Sequence, residues 1–212
     1  MEIKGIIFDL DGTLIDSYPL TTIAFQKVLK KWGDVDLSED EIYLSFGPPE
    51  KVIFKRYVKE EKLEECYQDY VKIFEENSKD IKLFGGVREV LEELRRIEIP
   101  MGIFTGRGRE LSLRLLHLKN LSQFFKELVS SEDVPNPKPY PDGVEEVCRR
   151  LGLKPSNCLH VGDSFMDILA GKRAGAITAG AVWGTRNLEK LLKEEPAFLL
   201  KSPEDILRIL KI

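Results

Sequence analysis

Asp9 and Asp11 close the short apolar run Ile3-Lys4-Gly5-Ile6-Ile7-Phe8 and stand directly before Gly12-Thr13. The same arrangement, an apolar run ending in polar residues, recurs twice: Met101-Gly102-Ile103-Phe104 leads into Thr105-Gly106-Arg107-Gly108, and Cys158-Leu159-His160-Val161 leads into Gly162-Asp163-Ser164, with Asp167 just beyond. Between these two lies the proline-rich stretch Pro135 to Pro141, which carries Lys138. Several carboxylates brought into one cleft repel strongly where the effective dielectric is low. A hard dication removes that conflict, and Mg²⁺ typically takes only one or two carboxylates, completing its shell with waters and phosphate oxygens. Lys138 adds positive charge, Thr105 a hydroxyl, and the glycine-rich turn after it offers backbone N–H groups at a helix N-terminus, suited to a phosphate. A carboxylate nucleophile, a dication, a lysine and an anion cradle are the parts of phosphoryl transfer, where positioning and charge neutralisation supply most of the catalysis.

For these residues to meet, each run must be a strand of one sheet, because ligands of open α/β sheets bind beyond the carboxyl ends of the strands. The pattern from Gly85 onward supports this. Val87, Val90, Leu91 and Leu94 share a helical face before the strand at Met101, and a helix follows near Leu111 to Leu118. A short strand is expected at Leu128-Val129, a helix between Asp142 and Gly152, the strand at Cys158, a helix from Ser164 to Ala174, and further strands at Ala176 to Val182 and Ala197 to Leu200. Such alternation predicts a doubly wound, Rossmann-like parallel sheet with helices on both faces. Residues from about 18 to 80 read as helix only: Leu20, Ala24, Phe25, Val28, Leu29 and Trp32 recur at helical spacing before Gly33, Ser38 and Glu41 form a capping box, Pro49 suits a helix start, and Leu63 to Phe74 carry a fourth apolar face. The expected organisation is therefore an α/β core of residues 1–15 and 83–212 interrupted by a helical cap of residues 16–82.

In order, Asp9-Leu10-Asp11-Gly12-Thr13-Leu14, Thr105-Gly106, Lys138-Pro139-Tyr140-Pro141 and Gly162-Asp163-Ser164-Phe165-Met166-Asp167 resemble the motifs of the haloacid dehalogenase superfamily of phosphohydrolases, in particular its phosphoglycolate phosphatase-like group. The resemblance extends to the helical insertion and to Val182-Trp183-Gly184. It implies Asp9 as the nucleophile that becomes a phosphoaspartate, and Asp11 as the acid that protonates the leaving oxygen and then takes a proton from the attacking water. It also implies Mg²⁺ held by Asp9, the Asp11 backbone carbonyl and Asp163 with Asp167 close behind, phosphoryl binding by Thr105 and Gly106, and charge balance from Lys138. Dehalogenase relatives lack a carboxylate at the position of Asp11, since a halide leaves without a proton, so the resemblance favours phosphate esters or anhydrides. Many relatives carry Asn, Ser or Lys after the motif threonine, where this chain has Gly106-Arg107-Gly108-Arg109; the two arginines are open to substrate or to solvent alone, Arg107 being the candidate phosphate contact.

Composition bounds the reading. Of 212 residues, 32% are charged yet the net charge is only −4, which argues against a nucleic-acid partner. No apolar run approaches the roughly 20 residues that span a bilayer, and the start lacks signal-peptide layout. Three cysteines without a CxxC pair suit reduced thiols, so a cytoplasmic monomer or homodimer acting on a small phosphorylated metabolite is expected. His160 reads as a packed, hydrogen-bonded residue rather than a ligand, and Tyr57, Tyr67, Tyr70 and Phe74 as cap core rather than a ligand box. Gly47-Pro48-Pro49 lies where relatives direct a specificity loop at the site, a plain connector being the alternative. By the resemblance phosphoglycolate is the leading substrate, with inorganic pyrophosphate close behind, and a sugar phosphomutase and a non-catalytic phosphate-ligand binding protein are the rival functions.

Overall fold

The structure is a computed structural model that describes residues 2–46 and 48–211. Gly47, the first residue of the expected specificity loop, lies outside them. The first apolar run forms β1 (Gly5–Phe8), buried along its whole length. A two-residue strand, β2 (Ile15–Asp16), leads into α1 (Tyr18–Gly33), α2 (Glu39–Ser45), α3 (Glu50–Phe54) and α4 (Leu63–Asn77), and β3 (Lys82–Leu83) returns antiparallel to β2. The chain then alternates through α5 (Val87–Arg96), β4 (Met101–Thr105), α6 (Arg109–Leu118), β5 (Glu127–Ser130), α7 (Asp142–Leu151), β6 (Cys158–Gly162), α8 (Phe165–Ala174), β7 (Ile177–Ala181), α9 (Leu188–Lys193), β8 (Phe198–Leu200) and α10 (Asp205–Leu210).

Six strands form one sheet in the order β5-β4-β1-β6-β7-β8, every pairing parallel. This is the doubly wound α/β architecture expected from the alternation. Successive side chains of a strand point to opposite faces, and β1 shows both: Ile6 and Phe8 join a core with Val87, Val90, Leu91, Leu111 and Ile206, whereas Ile7 joins Val144, Val147, Cys148 and Ala170 of α7 and α8. Burial on both faces explains why β1 reads as a continuous apolar run rather than an alternating one. From β1 the chain winds outward through β4 and β5, then crosses back to β6 on the other side of β1. The carboxyl end of β1, where Asp9 follows, is therefore the topological switch point.

The β2–β3 pair was not foreseen; two residues per strand are too few to show an alternating pattern. It places the exit and the return of the helical segment side by side. Some boundaries also shift: Gly33 ends α1 from inside, and the left-handed stop is Asp34 (φ 49°); Pro49 is the residue before α3; Pro141, not Asp142, occupies the N-cap of α7. The Ser38–Glu41 capping box forms as read.

Gly143 marks how closely α7 packs on the sheet, since an added Cβ would fall on the ring of fully buried Phe104. Gly143→Ala should cost about 1–3 kcal/mol through overpacking. Urea denaturation should show this as a lower midpoint at unchanged slope; an unchanged midpoint would mean the α7–β4 contact yields freely.

Candidate active site

Asp9 is fixed by its own backbone, whose N–H donates to the Val161 carbonyl (2.9 Å) and extends the β1–β6 ladder by one residue. Its carboxylate is buried, and Oδ1 accepts from Lys138 Nζ at 2.7 Å. Lys138 reaches in from the loop after β5, its side chain 5% exposed, and lies 2.5 Å from Asp167 Oδ1 as well. Asp167 has a second duty: its Oδ2 accepts from Ser164 N–H (3.1 Å) and Ser164 Oγ (2.5 Å), while Ser164 Oγ accepts from Asp167 N–H (3.3 Å), a reciprocal cap on α8. Capping and pairing Lys138 thus coexist in one residue.

Asp163, fully buried, accepts from Thr13 Oγ1 (3.2 Å) and from the Tyr18 hydroxyl (3.0 Å). The same hydroxyl oxygen lies 3.3 Å from the Asp11 backbone carbonyl, so its single proton is shared between that carbonyl and the nearer Asp163 carboxylate, which both face it. Gly12, at φ 83°, makes the turn that brings Asp11 there, and a side chain on it would also strike the Asp163 carboxylate. Carboxylate oxygens of Asp9, Asp163 and Asp167 lie within 4.8 Å of one another.

Three buried carboxylates with one lysine are electrostatically incomplete. Burial pushes Asp9 up to about 7 despite the pull of Lys138, with Asp167 and Asp11 adding to the rise. Burial, then Asp9 and Asp167, likewise hold Asp163 well above the usual carboxylate range. Asp167 departs from the pattern: burial opposes ionisation, yet Lys138 and the capping hydrogen bonds hold its carboxyl low. Lys138, although buried, is kept charged by Asp167 and Asp9. A divalent cation would relieve the strain on Asp9 and Asp163. Those two carboxylates and the Asp11 carbonyl are oxygen donors of the kind that could hold a hard ion there.

Asp11 points its carboxylate the other way. Arg107 grips it with two parallel hydrogen bonds, Nε to Oδ2 and Nη2 to Oδ1, each 2.9 Å, and Ser17 Oγ also donates to Oδ1. Arg107 is buried, and its remaining donors go to residues of the helical segment: Thr21 Oγ1 (3.1 Å), the Tyr70 hydroxyl (2.9 Å) and Glu50 Oε1 (3.4 Å). The Phe74 ring lies 4.5 Å below the guanidinium.

The helix N-terminus after Thr105 differs from expectation. Gly108 N–H donates to Glu50 Oε2 (3.0 Å) and Arg109 N–H to Glu132 Oε2 (2.9 Å), so protein carboxylates already occupy the anion-favouring end of α6. Thr105 Oγ1 accepts from Arg107 N–H at 3.2 Å. Thr105 and Gly106 line the cavity and are the groups of this loop left to face a phosphoryl group. Arg109 turns away to pair with Asp133 (2.8 Å) and the Leu128 carbonyl (3.1 Å), tacking α6 to the end of β5.

A cavity of about 200 Å³ joins these groups. Asp9, Asp11, Thr105, Arg107 and Lys138 form its floor, and Phe25, Tyr43, Leu44, Phe46 and Ile53 from the helical segment form much of its wall. His160 is packed beside Phe104, where burial pushes its pKa down to about 4 and keeps the ring neutral; the hydrogen bonds expected for it are not made among the described residues, both ring nitrogens being buried without a partner. Tyr70 belongs to the aromatic cluster with Phe25, Phe54 and Phe74, as the helical spacing suggested, yet its hydroxyl also serves the site. Tyr18, Thr21, Glu50 and Tyr70 were not singled out for the site from sequence. A glutamate opening a helix directly after Pro48-Pro49 is the one local signal that could have marked Glu50.

Comparison with known proteins agrees with this geometry. A model of the family described as haloacid dehalogenase-like hydrolase matches residues 6–181. A protein of Anoxybacillus flavithermus named pyrophosphatase PpaX is 33% identical over 214 residues, covering 100% of this chain and 99% of that protein. Its namesake in Bacillus pumilus is 34% identical over 209 residues, covering 98% and 96%. Among solved structures, a predicted phosphoglycolate phosphatase from Haemophilus somnus superposes with a TM-score of 0.89 at 25% identity, covering 99% of each chain. A hydrolase from Pseudomonas syringae gives 0.85 at 25% identity, covering 98% of each.

Proposed function

The chain belongs to the haloacid dehalogenase-like hydrolases, and from that premise we propose that it is a Mg²⁺-dependent phosphatase whose nucleophile is Asp9. The observation that carries the reading is the setting of Asp9: a carboxylate at the switch point of the sheet, pinned at 2.7 Å by buried Lys138 and opening on a cavity shared with Thr105 and Asp11.

In the proposed reaction the free Asp9 oxygen attacks phosphorus. The bond from phosphorus to the leaving oxygen breaks, that oxygen takes a proton from Asp11, and an aspartyl phosphate remains. Water then attacks the same phosphorus while Asp11 takes its proton, the bond to Asp9 breaks, and phosphate departs. Lys138 holds the attacking carboxylate in one orientation and balances charge on it and on the phosphoryl oxygens. The Thr105 hydroxyl and the Gly106 N–H orient the phosphoryl group. The aromatic wall from the helical segment, acting as a cap, excludes bulk water and selects the leaving group. Asp9, Asp163 and the Asp11 carbonyl would hold the dication, which when bound neutralises charge on the transferring group.

Relatives spanning nearly the full chain are named pyrophosphatases, which supports inorganic pyrophosphate as the first substrate to test, with phosphoglycolate second on the likeness to the Haemophilus structure. Purified protein assayed against a panel of phosphometabolites should release phosphate with Mg²⁺ and lose that activity in chelator. Mg²⁺ at about 100 times its dissociation constant should stabilise the fold by about 2.7 kcal/mol, raising the melting temperature by roughly 5–10 °C for a chain of this size. Turnover that persists in chelator, with no thermal shift on adding Mg²⁺, would overturn the metal assignment.

A further inference from the structure

We propose that Cys148 and Cys158 are a dithiol that a small hydroperoxide oxidises to a disulfide, stapling the end of α7 to the start of β6. Neither residue takes part in the phosphatase chemistry.

Cys148 Sγ donates to Cys158 Sγ at 3.4 Å, and the two residues are 1% and 0% exposed. A disulfide needs its sulfurs about 2.05 Å apart, so a small rotation of the side chains closes the gap. The backbone on either side is held in place. Leu153 N–H donates to the Cys148 carbonyl (2.9 Å), and Gly152, at φ 70°, turns the chain out of α7. Cys158 is in register with Gly5 of β1, and the Asn157 carbonyl before it accepts from Lys4 N–H (2.7 Å). Ile7, Phe104, Val144 and Val147 pack with the pair. Cysteine fills such a core as a small apolar residue. That accounts for the burial of each thiol, but not for their pointing at one another. Cys66, the third cysteine, lies apart in the core of the helical segment, where burial pushes its thiol up to about 12.

The hydrogen bond from Cys148 outweighs burial and holds the Cys158 thiol below its usual range, so Cys158 is the sulfur that reacts first. Its thiolate attacks the terminal oxygen of the hydroperoxide, the O–O bond breaks, and the oxygen released takes a proton to leave as an alcohol, or as water from hydrogen peroxide. Cys158 is then a sulfenic acid. Cys148 gives up its proton and attacks that sulfur, the S–O bond breaks, and the hydroxide leaves as water. The two thiols have lost two electrons, and the peroxide has gained them. Access runs through residues 152–157, the α7–β6 connection, which are exposed or half-buried throughout. Leu153 of this connection packs against the cluster and meets the same face of Gly5 as Cys158 Sγ, so its lifting admits a small molecule without parting β1 from β6. Cys158 opens the five-residue β6 and Asp163 follows its far end. At about 3.3 Å per residue the staple is about 16 Å from the site, so it restrains the fold without touching the cavity.

The test uses the wild-type protein, incubated with hydrogen peroxide, freed of it, and titrated for thiols in denaturant. The titre should fall from three per chain to one. A non-reducing peptide map should join the peptides of Cys148 and Cys158, a link that dithiothreitol opens. The linked protein should melt roughly 5–10 °C above the reduced protein, because the bond restricts the unfolded chain. Cys66→Ala should link as the wild type does, whereas Cys158→Ala should show neither the link nor the thermal shift. Three titratable thiols after prolonged treatment, a link through Cys66, or a linked form that melts no higher than the reduced one would each overturn the proposal.

Discussion

Replacing Asp9 with asparagine should cut phosphatase turnover by at least roughly 10⁴-fold, the scale seen when a covalent nucleophile is lost. The amide matches the carboxylate in shape but has no oxygen able to displace a leaving group from phosphorus. The fold should survive, because two opposing changes occur together. Asp9 gives up its contact with Lys138 (2.7 Å), and the pocket gives up one of the buried carboxylates whose mutual repulsion, on top of burial, raises Asp9 and Asp163. A melting temperature near that of the wild type, with no measurable release of nitrophenol, is the expected pair of results. Turnover within tenfold of wild type would remove Asp9 from the chemistry.

Lys138→Met should be nearly as damaging, by a different route. Lys138 is the buried cation that faces both Asp9 and Asp167. Removing one partner of a buried ion pair leaves an uncompensated charge and typically costs about 3–5 kcal/mol, a large share of a domain's roughly 5–15 kcal/mol. The pH dependence identifies the cause. Lys138 is the largest influence lowering Asp9, which even so is raised to about 7 in the metal-free protein. Without the lysine, Asp9 rises further and Asp167 loses what holds it down. A carboxyl whose folded-state pKa lies above its unfolded value binds protons more tightly when folded, so stability falls as pH rises above the unfolded pKa. Urea denaturation in chelator should therefore show the deficit of Lys138→Met growing from pH 5 to pH 8. A deficit independent of pH would assign the loss to packing against Phe104, whose ring lies 4.9 Å from the ammonium, rather than to charge.

How the site was legible follows from where its residues sit along the chain. Asp9 and Asp163 each follow a buried strand and Thr105 ends one, and a parallel sheet gathers such positions at one end whatever the loops do. The run of apolar residues before each was therefore enough to place them together. Lys138 was readable for a related reason, as it lies in the loop after β5. What escaped notice depends on side-chain geometry between distant segments. Glu50 and Tyr70 meet Arg107 across separations of 57 and 37 residues, and nothing in the local pattern of either announces the contact. The α6 N-terminus reads from sequence as an open anion cradle; only the fold reveals that Glu50 and Glu132 fill it. Arg107 and Arg109 look alike in Gly106-Arg107-Gly108-Arg109, yet one turns inward to Asp11 and the other outward to Asp133. Backbone direction at Gly108, the N-cap of α6, separates them.

The proposed reaction passes through a covalent bond between phosphorus and an Asp9 oxygen. Protein mixed with pyrophosphate or 4-nitrophenyl phosphate and quenched with borohydride in the steady state converts an aspartyl phosphate to homoserine, which peptide mass spectrometry can place. Homoserine is expected at position 9, absent without substrate and absent in Asp9→Asn. Homoserine at another aspartate, with none at position 9, during ongoing turnover would contradict it.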